Sequence, residues 1–174
     1  MTDPERFEAV FRAHHRAVLR YALRRADPAT ADEVVAETFL ICWRRLDAVP
    51  AEPLSWLLGT ARRCLANHRR SAARSHDLAA RAAPLDAEGR DPGDVVAARE
   101  LIRAAFADLP EKDREVLRLV AWEGLDLATA ARVLGCTRTA FAVRLHRARR
   151  RLRARLAAAD GAPQRPEPIL QEAT

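Results

Sequence analysis

The stretch at residues 126–155, DLATAARVLGCTRTAFAVRLHRARRRLRAR, most narrows what this chain can fold into. A short apolar run, Leu127 to Leu134, meets a turn at Gly135, and Thr137 can cap a following helix through its hydroxyl. Phe141, Leu145, Ala148, Leu152 and Leu156 then follow at spacings of three or four, which is one face of a helix. The other faces carry Arg138, Arg144, His146, Arg147, Arg149, Arg150, Arg151, Arg153 and Arg155, and no carboxylate lies between Arg138 and Arg155. Ala131 and Gly135 fall where the two helices of a helix-turn-helix approach, a crossing that needs a small residue and a turn glycine. A charged helix surface is usually just solvated, but solvated faces mix signs and this one does not. A helix docked along one stripe and positive elsewhere suits the major groove of DNA.

The rest of the chain must accommodate that element. Its 174 residues suffice for one or two small domains and not for a large enzyme with a deep core. Six glycines and 5% aromatics fit helices better than sheets. The net charge of +6 and a pI near 10.4 favour a polyanionic partner. Lys112 is the only lysine, so nearly all the positive charge is arginine, the residue of bidentate phosphate and guanine contacts. The polar, acidic start has no signal-peptide character, and no apolar run is long enough to span a membrane. Cys42, Cys64 and Cys136 are scattered and odd in number, as in a reducing cytoplasm, and read as buried thiols. Cys64 and His68 share a helix face but make an incomplete zinc site.

Taken in order, residues 7–25 form a first helix with Phe7, Phe11, His14, Val18, Tyr21 and Ala22 inward. Asp27 and Pro28 start a second helix at about 29–46. Its first half holds Asp32, Glu33 and Glu37, with no basic residue before Arg44. Acid at a helix start complements the dipole. Equally, Glu33 and Glu37 share a face without Lys or Arg, and beside Phe39 and Leu40 they could dock a basic protein partner. Residues 46–53 read as a loop because of two prolines and no period. A third helix at 54–76 buries Trp56, Leu57, Leu58, Ala61, Leu65 and His68, and carries Arg62, Arg63, Asn67, Arg69, Arg70 and Arg74 without an acid. Residues 77–93 read as a linker, flexible over 83–93. Asp94 caps a helix to about Leu109, residues 111–123 form another ended by Gly124, and 159–174 form a disordered tail. The fold class is therefore all-α: an N-terminal helical bundle at 1–76 and a helix-turn-helix domain at 94–158. No phosphate-cradling loop, nucleophile elbow or metal-ligand set supports catalysis, a cofactor or a metal.

Three segments carry a family resemblance. ADEVVAETFLICWRRL resembles the core-polymerase-binding segment of bacterial sigma factors. PLSWLLGTARRCLANHRR resembles the helix that follows it in the short, extracytoplasmic-function (ECF) type. LPEKDREVLRLVAWEGLDLATAARVLGCTRTAFAVRLHRARRRLRARL resembles their promoter-reading C-terminal domain. The resemblance covers roughly residues 7–156 and skips the linker and tail. It implies a promoter-specificity subunit of RNA polymerase, not an enzyme. On that basis Asp32, Glu33, Glu37 and Leu40 contact core polymerase. Arg62, Arg63, Asn67, Arg69 and Arg70, with the loop at 46–53, take the minus-ten element as single-stranded DNA. Arg138, Thr139, Ala142, Val143 and Arg144 read the minus-thirty-five element, while Arg147 and Arg150 grip phosphates. Ala36 stands where the family commonly has glutamine, and Ala142 where it often has lysine. An anti-sigma partner is common in the family. The rival reading is a stand-alone helix-turn-helix repressor or activator; it does not require the acidic helix followed by an acid-free basic one.

Overall fold

The computed structural model describes residues 2–75 and 94–160. These form seven α-helices and one 3-10 turn, with no strand among the described residues: α1 (Asp3–Leu23), α2 (Pro28–Arg44), the turn Leu46–Ala48, α3 (Leu54–Ser75), α4 (Asp94–Ala107), α5 (Glu111–Ala121), α6 (Leu127–Leu134) and α7 (Arg138–Asp160). The expected linker and most of the expected tail lie outside the described residues.

The first group, α1–α3, packs around Val18, Tyr21, Ala31, Val34, Phe39, Cys42, Leu57, Leu58, Ala61 and Leu65, all nearly or fully buried. Asp27 starts α2: its carboxylate accepts from the Thr30 N–H at 3.0 Å, and Pro28 occupies the first turn, where no N–H is needed. On the α1 stripe, Phe11 is exposed and His14 only half-buried, so the inward line is narrower than the sequence spacing predicts. The segment 46–53 is more ordered than a plain loop. Its 3-10 turn sinks Leu46 and Val49 into the core, and Arg6 donates to the Val49 carbonyl at 2.8 Å.

The second group, α4–α7, is built on Phe141, Leu145 and Ala148 of α7, packed with Val116, Leu119, Ala130, Ala131 and Val133. Burying a side chain such as Phe141 stabilises by about 1.5–3 kcal/mol. Local chemistry sets each junction. The Asp126 carboxylate accepts from the Ala128 and Thr129 N–H groups at 2.8 and 3.0 Å. Gly135 closes α6 at φ 64°, a left-handed position that favours glycine. Thr137 then accepts from the Ala140 N–H at 3.1 Å and opens α7.

The two groups touch. Gly59 of α3 lies against the backbone of Val133 on α6, and an added Cβ there would stand 3.5 Å from the Val133 carbonyl oxygen. Ser55 accepts from Arg132 at 3.3 Å. At the other edge, the end of α1 meets α5 through Tyr21, Arg24 and Arg25.

Candidate nucleic-acid and polymerase interfaces

The helix-turn-helix is α6 and α7. Arg138, Thr139, Val143 and Arg144 stand exposed on the first two turns of α7, with Ala142 half-buried beside them. Arg147 and Arg150 follow, also exposed. None of Arg138, Arg144, Arg147 or Arg150 has a hydrogen bond or ion pair with another described residue. The far half of α7 differs. Arg151 is paired with the buried Asp113 of α5, and Arg155 reaches Asp108 at 3.8 Å. Helix α7 carries no acid at its start, yet its outer half is balanced by carboxylates from α5 and the α4–α5 turn. The run 138–155 is thus not unopposed along its whole length. A groove of about 760 Å³ runs beside α7, with Val120, Leu125, Leu127 and Leu145 as its floor and Arg138, His146, Arg149 and Arg153 on its rim.

On α3, the basic residues project from a helix whose other face is core. Arg62, Arg63, Asn67, Arg69 and Arg70 are all exposed. Arg63 donates to the Thr60 hydroxyl, Arg70 to the Asn67 side chain, and Arg69 to the Arg25 carbonyl at 3.0 Å, with Glu111 at 3.6 Å. Arg62 faces a cleft of about 430 Å³ shared with Lys112, Arg144, Arg147 and Arg151 of the second group. The structure therefore brings candidate residues from both basic helices to one cleft.

On α2, Asp32, Glu33 and Leu40 are exposed and Glu37 is half-buried. Their pairing departs from the sequence expectation. His68, read as part of the apolar side of α3, stands with Nδ1 3.5 Å from Glu33 and Nε2 3.4 Å from Glu37. The packing of α3 on α2 rotates His68 to the edge of the core, where it can accompany both acids. Next to this face lies an aromatic ledge of which the sequence reading included only Phe39 and Leu40. Phe11 and Phe39 touch each other and both Phe7 and His15, and Trp43 meets Phe7 edge-on at 5.3 Å. Leu40 and Trp43 are both exposed and three residues apart on one helix face, a spacing that could have signalled the ledge.

Cys42 and Cys64 are buried and unpaired. Burial, with Glu37 adding to it, pushes the Cys64 thiol up to about 11, which favours the protonated thiol at neutral pH. Burial also pushes Cys42 up. Among the described residues no group of His, Cys, Asp and Glu could hold a metal ion, and no helix is long and apolar enough to cross a membrane.

Residues 10–75 match the family described as Sigma-70 region 2, and residues 99–152 match Sigma-70, region 4. Among curated proteins, the chain is 34% identical over 151 residues to the ECF RNA polymerase sigma factor SigL of Mycobacterium tuberculosis, covering 83% of this chain and 85% of that one. It is also 34% identical over 153 residues to SigC of the same organism, covering 82% of this chain and 78% of the relative. Among solved structures, the sigma factor RpoE of Bartonella quintana, in complex with the anti-sigma factor NepR, superposes with a TM-score of 0.66 at 20% identity, covering 87% of this chain and 96% of that one. CnrH, solved with the cytosolic domain of CnrY, gives 0.56 at 26% identity, covering 87% and 88%. The chain belongs to the sigma-70 family of RNA polymerase sigma factors, in its ECF branch. It is accordingly a non-enzymatic, promoter-specificity subunit that directs transcription initiation.

Proposed function

We propose that the two helical groups divide promoter recognition between them. Residues 1–76 bind core RNA polymerase and the minus-ten element, and residues 94–158 bind the minus-thirty-five element. The observation that carries this reading is the state of α7. Arg138 and Arg144 are exposed on its first two turns, without partners among the described residues, on a helix anchored by the buried Phe141. The start of a recognition helix is where side chains reach base edges. Arg147 and Arg150, farther along, supply phosphate affinity without sequence information. Ala142 presents a methyl group suited to thymine.

The polymerase contact is assigned to Asp32, Glu33, Glu37 and Leu40, with Trp43 extending the surface. Acids beside an exposed apolar ledge fit a basic, partly apolar partner surface. The minus-ten contact is assigned to Arg62, Arg63, Asn67, Arg69 and Arg70. The protein works in the cytoplasm, consistent with its unpaired buried thiols. An anti-sigma factor is a further partner, by analogy with RpoE bound to NepR.

The test is run-off transcription with purified core polymerase on genomic fragments, followed by mapping of start sites. Discrete starts that require the protein are expected. No complex with core polymerase in a pull-down, together with tight dimeric binding to a palindrome, would instead identify a stand-alone regulator.

A further inference from the structure

The cleft between α3, α5 and α7 collects more positive charge than its own contacts neutralise. Five cations line its volume of about 430 Å³: Arg62 of α3, Lys112 of α5, and Arg144, Arg147 and Arg151 of α7. Two acids face them, Asp113 and Glu115, and both are already engaged. Asp113 is buried and paired with Arg151. Glu115 accepts from the Tyr21 hydroxyl and from Arg25, each at 2.8 Å. Arg62, Lys112, Arg144 and Arg147 are left exposed, none with a hydrogen bond or ion pair among the described residues. Like charges gathered from three helices repel one another, and a concave wall of low dielectric concentrates their field.

We propose that this cleft is a binding site for an oligophosphate anion, two or more linked phosphates carried by a nucleoside or standing alone. Cations converging from separate helices favour one compact ligand with several charges over scattered single ions. Guanidinium groups take phosphate oxygens bidentately, and Lys112 adds a compact point charge. The volume falls within the range of small-molecule pockets and is too small for a DNA duplex. Val116 and Leu134 supply a short apolar stretch of wall, against which a base or sugar can rest.

On the assignments made above, Arg62, Arg144 and Arg147 also serve DNA, so a bound oligophosphate competes with DNA for them. Lys112 has no such assignment and belongs to the cleft alone. The ligand site itself rests on the charge and shape of the cleft, and only the competition rests on the DNA reading.

Calorimetric titration of the full chain, at constant ionic strength and without divalent cations, compares sulfate, pyrophosphate, tripolyphosphate and ATP. Affinity is expected to rise from sulfate to tripolyphosphate, with one ligand per chain. Tighter binding of ATP than of tripolyphosphate assigns the site to nucleotides through the apolar wall; equal or weaker binding assigns it to inorganic chains. Lys112→Met and Arg62→Gln change exposed side chains on different helices and should each weaken tripolyphosphate about tenfold. Arg16→Gln removes the same charge from an exposed position on α1 that does not line the cleft, and should change it less than about twofold. Circular dichroism identifies a variant that has lost its helices, in which case the other cleft variant decides. The proposal is overturned if tripolyphosphate binds no tighter than sulfate, or if Arg16→Gln weakens it as much as the cleft variants do. Anisotropy with a dye-labelled DNA duplex reads the competition. Lys112→Met should bind the duplex as the native chain does and resist its displacement by tripolyphosphate. If oligophosphate binds as expected but displaces no duplex, the cleft stands as a ligand site and the assignment of Arg144 and Arg147 to DNA fails.

Discussion

Helices α3 and α7 have nearly the same recipe, an apolar stripe and an arginine coat with no acid over 54–75 and 138–155, yet they are in different states. On α3, Arg63, Arg69 and Arg70 each have a partner within the protein, and Arg62 faces the cleft. On α7, the reading end stands free, and only the distal Arg151 and Arg155 are balanced by acids. Composition tells which surfaces are basic; packing decides which are available. On the proposed assignment, α7 is presented ready for duplex DNA, whereas α3 is partly engaged with its own chain.

The largest effect that can break this comparison is at the foundation of α7. Phe141→Ala should cost about 3–5 kcal/mol in denaturant unfolding of the second group and abolish duplex binding. Leu57→Ala should cost about 2–5 kcal/mol and fall on the first group instead. If the two variants unfold the same cooperative unit, the halves are not separate in stability.

Within α7, Arg138→Ala and Arg144→Ala should each lose about 1–3 kcal/mol of promoter binding and relax base preference. Arg147→Ala and Arg150→Ala should weaken all duplexes alike and reduce the salt slope by about one each. Identical behaviour of all four in a salt titration would erase the division between reading and gripping.

Smaller still, Gly135→Ala forces a Cβ into a left-handed turn and should destabilise by about 1–2 kcal/mol in thermal unfolding, with no clash to add to it.

The smallest expected effect is on pH dependence. The Thr129 hydroxyl and backbone N–H, with that of Ala128, hold the Asp126 carboxyl below its ordinary value. A lowered folded value means the cap's contribution is complete above about pH 4 and fades as pH falls through that lowered value. Asp126→Asn keeps an acceptor and should remove this part of the acid dependence, as read from unfolding midpoints across pH.

What the chain shows in one dimension follows from the range of each interaction. The caps at Asp27, Asp126 and Thr137 and the left-handed Gly135 involve residues a few positions apart, so their chemistry is readable directly. The buried stripe of α7 is equally periodic. The position of His68 is not, because it depends on how α3 rolls on α2 to seat Leu57, Ala61 and Leu65. The cluster around Arg25 is less readable still: Arg25 sits among residues that look like an ordinary helix end, and nothing near it announces Glu115 or Glu123. The segment 46–53 misleads for the opposite reason. Its prolines signal irregularity, but Leu46 and Val49 have the size and polarity to be pulled into the core.

The wide sequence separation of the partners in the Arg25 cluster has a consequence in time. Tyr21 and Glu115 are 94 residues apart, and Arg24 and Glu123 are 99 apart. A growing chain releases α1–α3 from the ribosome before Glu115 has been added, and small units fold as they emerge. For that interval the newborn first half displays its α3 arginines without the second group packed against them. The contacts that join the two groups are thus completed late in synthesis, and a nascent chain stalled between the two halves would lack them.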